Sequence, residues 1–171
     1  TQLVEEFKET AQLAVLDQDQ VLYIDKREGV QPFRIASDVG MRLPVHCTAL
    51  GKVLLAYQPE SEIRRIIVQR GLQRFTRATI CQPELLFAEL KRIRDQGYAI
   101  DKGEIMDFLR CVAAPIRNGQ TQVIAAISIS GPISRMIGRR FNDIRDKVVR
   151  AAAEISKEMG YTVGGAIKEI L

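Results

Sequence analysis

Val123-Ile124-Ala125-Ala126-Ile127-Ser128-Ile129-Ser130 is the stretch on which the fold turns. It is apolar apart from its two serines, follows the turn former Asn118-Gly119, and is closed by Gly131-Pro132. A short apolar run bounded by turn residues reads as a buried strand. Side chains alternate along a strand, so Ser128 and Ser130 share a face with Ile124 and Ala126. Val123, Ala125, Ile127 and Ile129 take the other face. Both faces are dry, which predicts a central strand. An unpaired hydroxyl on such a face costs about 1–3 kcal/mol. The two serines therefore need partners, either neighbouring protein groups or a small polar ligand.

Working outward, Asn-Gly predicts a hairpin that joins this strand to an upstream one over Leu109–Ile116. A further extended segment covers Tyr98–Glu104. Before it lies a block of helices. Thr48 is placed to cap one that runs to Tyr57, Pro59-Glu60 starts a second that ends at Gly71, and Pro83 opens a third that ends at Gly97. Residues 72–82 read as irregular, and Gly40–Pro44 as a loop, since Pro44 disfavours helix at Leu43. Gln31–Val39 reads as extended, with Phe33 and Ile35 alternating against Arg34. Nearer the start, Ala11–Leu16 and Val21–Lys26 flank Asp17-Gln18-Asp19-Gln20 as a second hairpin. Ser134–Met159 forms a long helix with Ile137, Phe141, Ile144, Val148, Ala151, Ala152 and Ile155 on one stripe. Strands on both sides of a helical block predict an α+β fold, a mostly antiparallel central sheet with helices packed on it.

The bulk numbers narrow the partners. The chain has 171 residues, 46% of them hydrophobic and 27% charged, enough for a single domain over residues 1–171. Its 25 Lys and Arg against 21 Asp and Glu give a net charge of only +4, with the two signs interleaved. No basic arm or aromatic-basic stripe of the nucleic-acid kind is present. Cys47, Cys81 and Cys111 lack the spacing of a zinc site, and there is one histidine, so no metal or cofactor is expected. No apolar run approaches the roughly 20 residues of a membrane span, and the reduced cysteines fit a cytoplasmic setting. Thr1 opens directly into an amphipathic pattern carrying Leu3, Val4 and Phe7, as expected of a piece of a longer chain.

Four features could carry chemistry, and each has a plain alternative. The helix start at Thr48-Ala49-Leu50-Gly51-Lys52 offers free amides that suit a carboxylate, though most helix starts meet only water. Cys111, on a strand face with Leu109 and Ala113, is either a nucleophile, a ligand contact or a small buried residue. His46 beside Cys47 suggests a Cys–His pair, but adjacent residues rarely face each other and no orienting third group is evident. Asp101 either caps a turn or accepts hydrogen bonds from a ligand. The basic residues of the last helix, Arg139 to Arg150, read as a solvated face because Asp143, Asp146 and Glu154 lie among them.

Three segments together resemble the effector-binding domain of IclR-type bacterial transcription regulators. They are Arg42-Leu-Pro-Val-His-Cys-Thr-Ala-Leu-Gly-Lys-Val-Leu-Leu-Ala56, Leu109-Arg-Cys-Val-Ala-Ala-Pro-Ile116 and Ala125-Ala-Ile-Ser-Ile-Ser-Gly-Pro-Ile-Ser134. The resemblance covers essentially the whole chain. It implies a GAF-like domain that is no enzyme, binds a small metabolite carboxylate and controls a winged helix-turn-helix that would precede Thr1, with residues 1–10 ending the linker helix. It also implies a homodimer or tetramer that meets DNA only through that missing part. The implied pocket takes the amides of Ala49 and Leu50 and polar contacts from Asp101, Cys111, Ser128 and Ser130. Its apolar walls would be Leu109, Leu43 and Ile35, with Phe33 or Pro32. Met106 and Phe108 depart from the family pattern and are expected to reshape the pocket mouth. The competing reading is a GAF-like thiol enzyme using Cys111 or Cys47.

Overall fold

The structure, a computed structural model, describes residues 2–30 and 37–162. In chain order the elements are α1 (Gln2–Phe7), β1 (Thr10–Asp17), β2 (Gln20–Arg27), β3 (Arg42–Pro44), α2 (Ala49–Ala56), α3 (Glu60–Arg70), α4 (Pro83–Gln96), β4 (Ala99–Lys102), β5 (Leu109–Arg117), β6 (Val123–Pro132) and α5 (Gly138–Glu158). The six strands form one sheet in the order β3-β2-β1-β6-β5-β4, with every neighbouring pair antiparallel. This is the α+β, GAF-like architecture that the sequence implied.

The opening stretch is β6, and it lies in the middle of the sheet between β1 and β5. Its alternation separates two cores. Ala126 joins Ala14, Val21, Tyr23, Leu109, Cys111 and Ala113 beneath α2 and α4. Ile129 joins Val112, Ala114 and Ile116 beneath Phe141, Ile144 and Val148 of α5. Both predicted hairpins form. Gln18 and Asp19 turn the first with positive φ, and Asn118 closes the second by accepting from the amides of Gln120 and Gln122 through its side chain.

Four expectations need correction. Residues 42–44 are a strand rather than a loop, because they pair with β2 through Leu43↔Val21. The last helix starts at Gly138 rather than Ser134. Gly138 has φ +57°, a conformation that glycine adopts freely. Arg135, just ahead of it, is committed to Glu9, donating through Nε at 2.7 Å and Nη2 at 2.8 Å. Ile137 therefore falls off the buried stripe and is 52% exposed. The strand expected over Tyr98–Glu104 shortens to Ala99–Lys102, ending where Gly103 takes φ +85°. Of the extended segment expected over Gln31–Val39, residues 31–36 lie outside the described residues, and Ser37–Val39 are not strand.

Candidate functional site

A cavity opens between the sheet and the first turn of α2, and every strand of the sheet contributes to its wall. Leu43 comes from β3, Tyr23 from β2, Gln12 from β1, Ser128 and Ser130 from β6, Leu109 and Cys111 from β5, and Asp101 from β4. Thr48, Ala49 and Leu50 close it from the helix side, and Ile105 and Met106 from the loop after β4. The enclosed space is about 30 Å³. A single water needs about 10–15 Å³ on that measure, so the space suits a pair of waters.

The helix start is built for close approach. Thr48 caps α2, its Oγ1 accepting from the Gly51 amide at 3.0 Å. A Cβ on Gly51 would sit 2.4 Å from the Val45 carbonyl oxygen and 2.7 Å from Thr48 Oγ1, so only glycine lets the chain turn in this tightly. The cap uses the Gly51 amide, and the two residues before it, Ala49 and Leu50, line the cavity.

The two serines have protein partners. Ser130 Oγ donates to Gln12 Oε1 at 3.0 Å, and Ser128 Oγ approaches the same atom at 3.5 Å. Gln12 Nε2 donates in turn to Ser37 Oγ. Gln12 stands directly across from Ser128 in the β1–β6 ladder, which brings the groups together.

Behind this polar row lies an ionic cluster. Lys52, fully buried on α2, donates from Nζ to Glu104 Oε1 at 2.5 Å, the Ile100 carbonyl at 2.8 Å and Glu89 Oε1 at 3.4 Å. Asp101 is buried beside it. Its Oδ1 accepts from the Glu104 amide at 2.6 Å, while Oδ2 has no partner. Burial, reinforced by the Glu104 charge and opposed by that amide and Lys52, pushes the Asp101 carboxyl up to about 7. Burial likewise raises the thiols, Cys47 to about 12 and Cys111 well above its usual range. Thiols held protonated this way are not nucleophiles. His46 lines a different cavity, where its Nε2 donates to the Gln73 carbonyl at 2.9 Å. The histidine is thus not at the cavity that Cys111 lines.

Eight of the nine residues singled out from sequence surround this one cavity: Leu43, Ala49, Leu50, Asp101, Leu109, Cys111, Ser128 and Ser130. Ile35, with Phe33 and Pro32, lies outside the described residues. Of the two departures, Met106 lines the wall, while Phe108 is 56% exposed and does not. Sequence reasoning missed Gln12, Tyr23, Ser37 and Ile105. Gln12 had a readable signal, a lone amide inside the apolar run Ala11–Leu16.

Residues 1–157 match the family model of the C-terminal part of the bacterial transcriptional regulator IclR. The chain belongs to the IclR family. It is the C-terminal effector-binding domain of these regulators, a regulatory domain and not an enzyme. It is 37% identical over 161 residues to the HTH-type transcriptional regulator XynR of Escherichia coli, covering 94% of this chain and 64% of XynR. The IclR-family chain thus spans under two thirds of that relative's length. The C-terminal domain of the E. coli regulator KdgR has the same fold, with TM-score 0.84 and 36% identity over 94% of this chain and 93% of that one. An IclR homolog from Microbacterium hydrocarbonoxydans complexed with 4-hydroxybenzoate matches with TM-score 0.82 and 28% identity, over 92% of this chain and 63% of that one.

Proposed function

We propose that this domain senses a small organic carboxylate in the cavity at the start of α2, and that occupancy alters DNA binding by a winged helix-turn-helix preceding it in the full-length regulator. The observation that carries the reading is that one cavity is lined by the first residues of α2, by two serines and by Asp101, whose carboxyl has an unpartnered oxygen. Amides at a helix start favour an anion. The serines can turn from Gln12 to its oxygens, and Asp101 lines the same cavity beside them. The homolog complexed with 4-hydroxybenzoate, itself a carboxylate, supports this class. A two- or three-carbon acid needs more room than 30 Å³, and the flexible Met106 is the wall residue best able to yield it.

Control is a population shift. The effector favours one arrangement of a homodimer or tetramer, and α1, continuing the linker helix, passes the change to the DNA-binding parts. Such a regulator works in the cytoplasm. Leu3 and Phe7 of α1 are buried with Phe141 and Ile144 in the core beneath α5, so they are not the surface of that assembly.

A thermal-shift panel of glyoxylate, pyruvate, hydroxy acids and sugar acids tests the reading, with sedimentation at micromolar protein run alongside to check assembly. A true effector at 100 times its Kd stabilises by about 2.7 kcal/mol. A panel without any shift removes the effector reading, and a monomer at every concentration removes the assembly.

A further inference from the structure

Asp101 is the one acid of its cluster without a cation. Lys52 is taken by Glu104 at 2.5 Å, and Glu89 is clasped by Arg92 through Nε at 2.9 Å and Nη2 at 2.7 Å, besides its longer contact with Lys52. Two cations thus face three carboxylates, and Asp101 is the surplus one. The other groups around it offer no counter-charge: Tyr23 from β2, Cys47 ahead of α2 and Cys111 from β5 are all held protonated by burial. Glu104 also has an unpartnered oxygen, Oε2, but of the two acids only Asp101 lines the cavity. With Oδ1 occupied by the Glu104 amide, Oδ2 is the carboxyl oxygen without a protein partner.

Resting on the effector reading above, we propose that the site takes up a monocarboxylate together with one proton, which Asp101 carries and donates to the effector's carboxylate, and that it therefore rejects dicarboxylates. Two carboxylates confined to one small site do not both stay ionised, and a carboxyl–carboxylate hydrogen bond is charge-assisted and strong. Where the proton is captured on binding, it cancels the charge the effector brings and the cluster gains no net charge. A second carboxylate on the ligand would bury a charge with no cation to meet it.

Free Asp101 titrates near about 7. Below that pH the proton is already in place and affinity is flat. Above it the proton must be captured on binding, and affinity falls by up to about tenfold per pH unit.

Calorimetry with glyoxylate from about pH 5.5 to 8.5, in buffers of differing ionisation heat, tests this. Another acid from the thermal panel replaces glyoxylate if only that one binds. The expected results are uptake approaching one proton above about pH 8, a pH-independent affinity in Asp101→Asn, and oxalate weaker than glyoxylate by about tenfold or more. The uptake measurement needs only the unaltered protein, so misfolding of the variant does not spare the proposal. Binding without proton uptake overturns it while the effector reading stands. Equal affinity for oxalate overturns the dicarboxylate exclusion, and no binding by any acid removes both readings.

Discussion

The two faces of the sheet are built from the same strands and have opposite characters. Beneath α5 the core is apolar, with Ile100, Val112, Ile116, Ile129, Met136, Phe141, Ile144 and Val148 packed together. Its charged groups are Glu9, clasped by Arg135, and Arg110, stacked over Phe141 and donating to the Met136 carbonyl. Ser156, near the end of α5, is buried but fully used, donating to the Ala152 carbonyl at 2.6 Å and accepting from the Arg117 amide at 2.9 Å. Beneath α2 and α4, a larger apolar core is interrupted by Gln12, Lys52, Asp101, Glu104, Ser128 and Ser130, all buried. Strand alternation lets one chain make both, since Val112 and Ile129 face α5 while their neighbours Cys111 and Ser130 face the cavity. The α5 face contributes stability. The α2 face gives some of it up, because desolvated polar groups rarely repay their burial by folding alone, and binding is where they gain.

Three variants, the last with a rescue, probe that division, starting with the largest effect. Lys52→Ala strands the Glu104 carboxylate in the interior and is expected to cost about 3–5 kcal/mol in chemical denaturation. A cost below about 1 kcal/mol would mean that the ionic cluster is not what holds the α2 face. Next, Ile144→Ala in the apolar core is expected to cost about 2–5 kcal/mol while leaving effector affinity within about twofold. An affinity lost in step with stability would erase the distinction between the faces. The smallest effect belongs to the double variant Ser128→Ala, Ser130→Ala. It orphans Gln12 Oε1, at about 1–3 kcal/mol, and weakens effector binding. Adding Gln12→Met should restore stability by removing the stranded amide but not restore binding. Recovery of affinity in the triple variant would show that the hydroxyls do not touch the effector.

Local signals were readable in the sequence. The period-two pattern gave β6, Asn118-Gly119 gave its hairpin, and Thr48 gave the start of α2, because each depends on residues within a few positions. The cavity walls followed once three segments were recognised as one family pattern. What stayed hidden was non-local. The partner of Ser128 and Ser130 is a glutamine 116 and 118 residues away, joined to them only by the β1–β6 ladder. β3 is three residues long and ends in Pro44, too short to show a period. Ser134 looked like a helix start until Arg135 proved committed to Glu9, across the molecule. Leu3 and Phe7 belong to an amphipathic pattern whose cover, α5, lies far along the chain.

The sheet begins and ends in its shortest strands, β3 with three residues and β4 with four. Strands this short hold few ladder hydrogen bonds, so they come apart at a free energy well below that of global unfolding. Both reach the cavity, β3 through Leu43 and β4 through Asp101. The floor of the cavity lies on the longer strands β1, β6 and β5, while its two flanks lie on the shortest ones. Amide exchange would accordingly run fastest at the flanks, and the space can breathe open sideways without the protein unfolding.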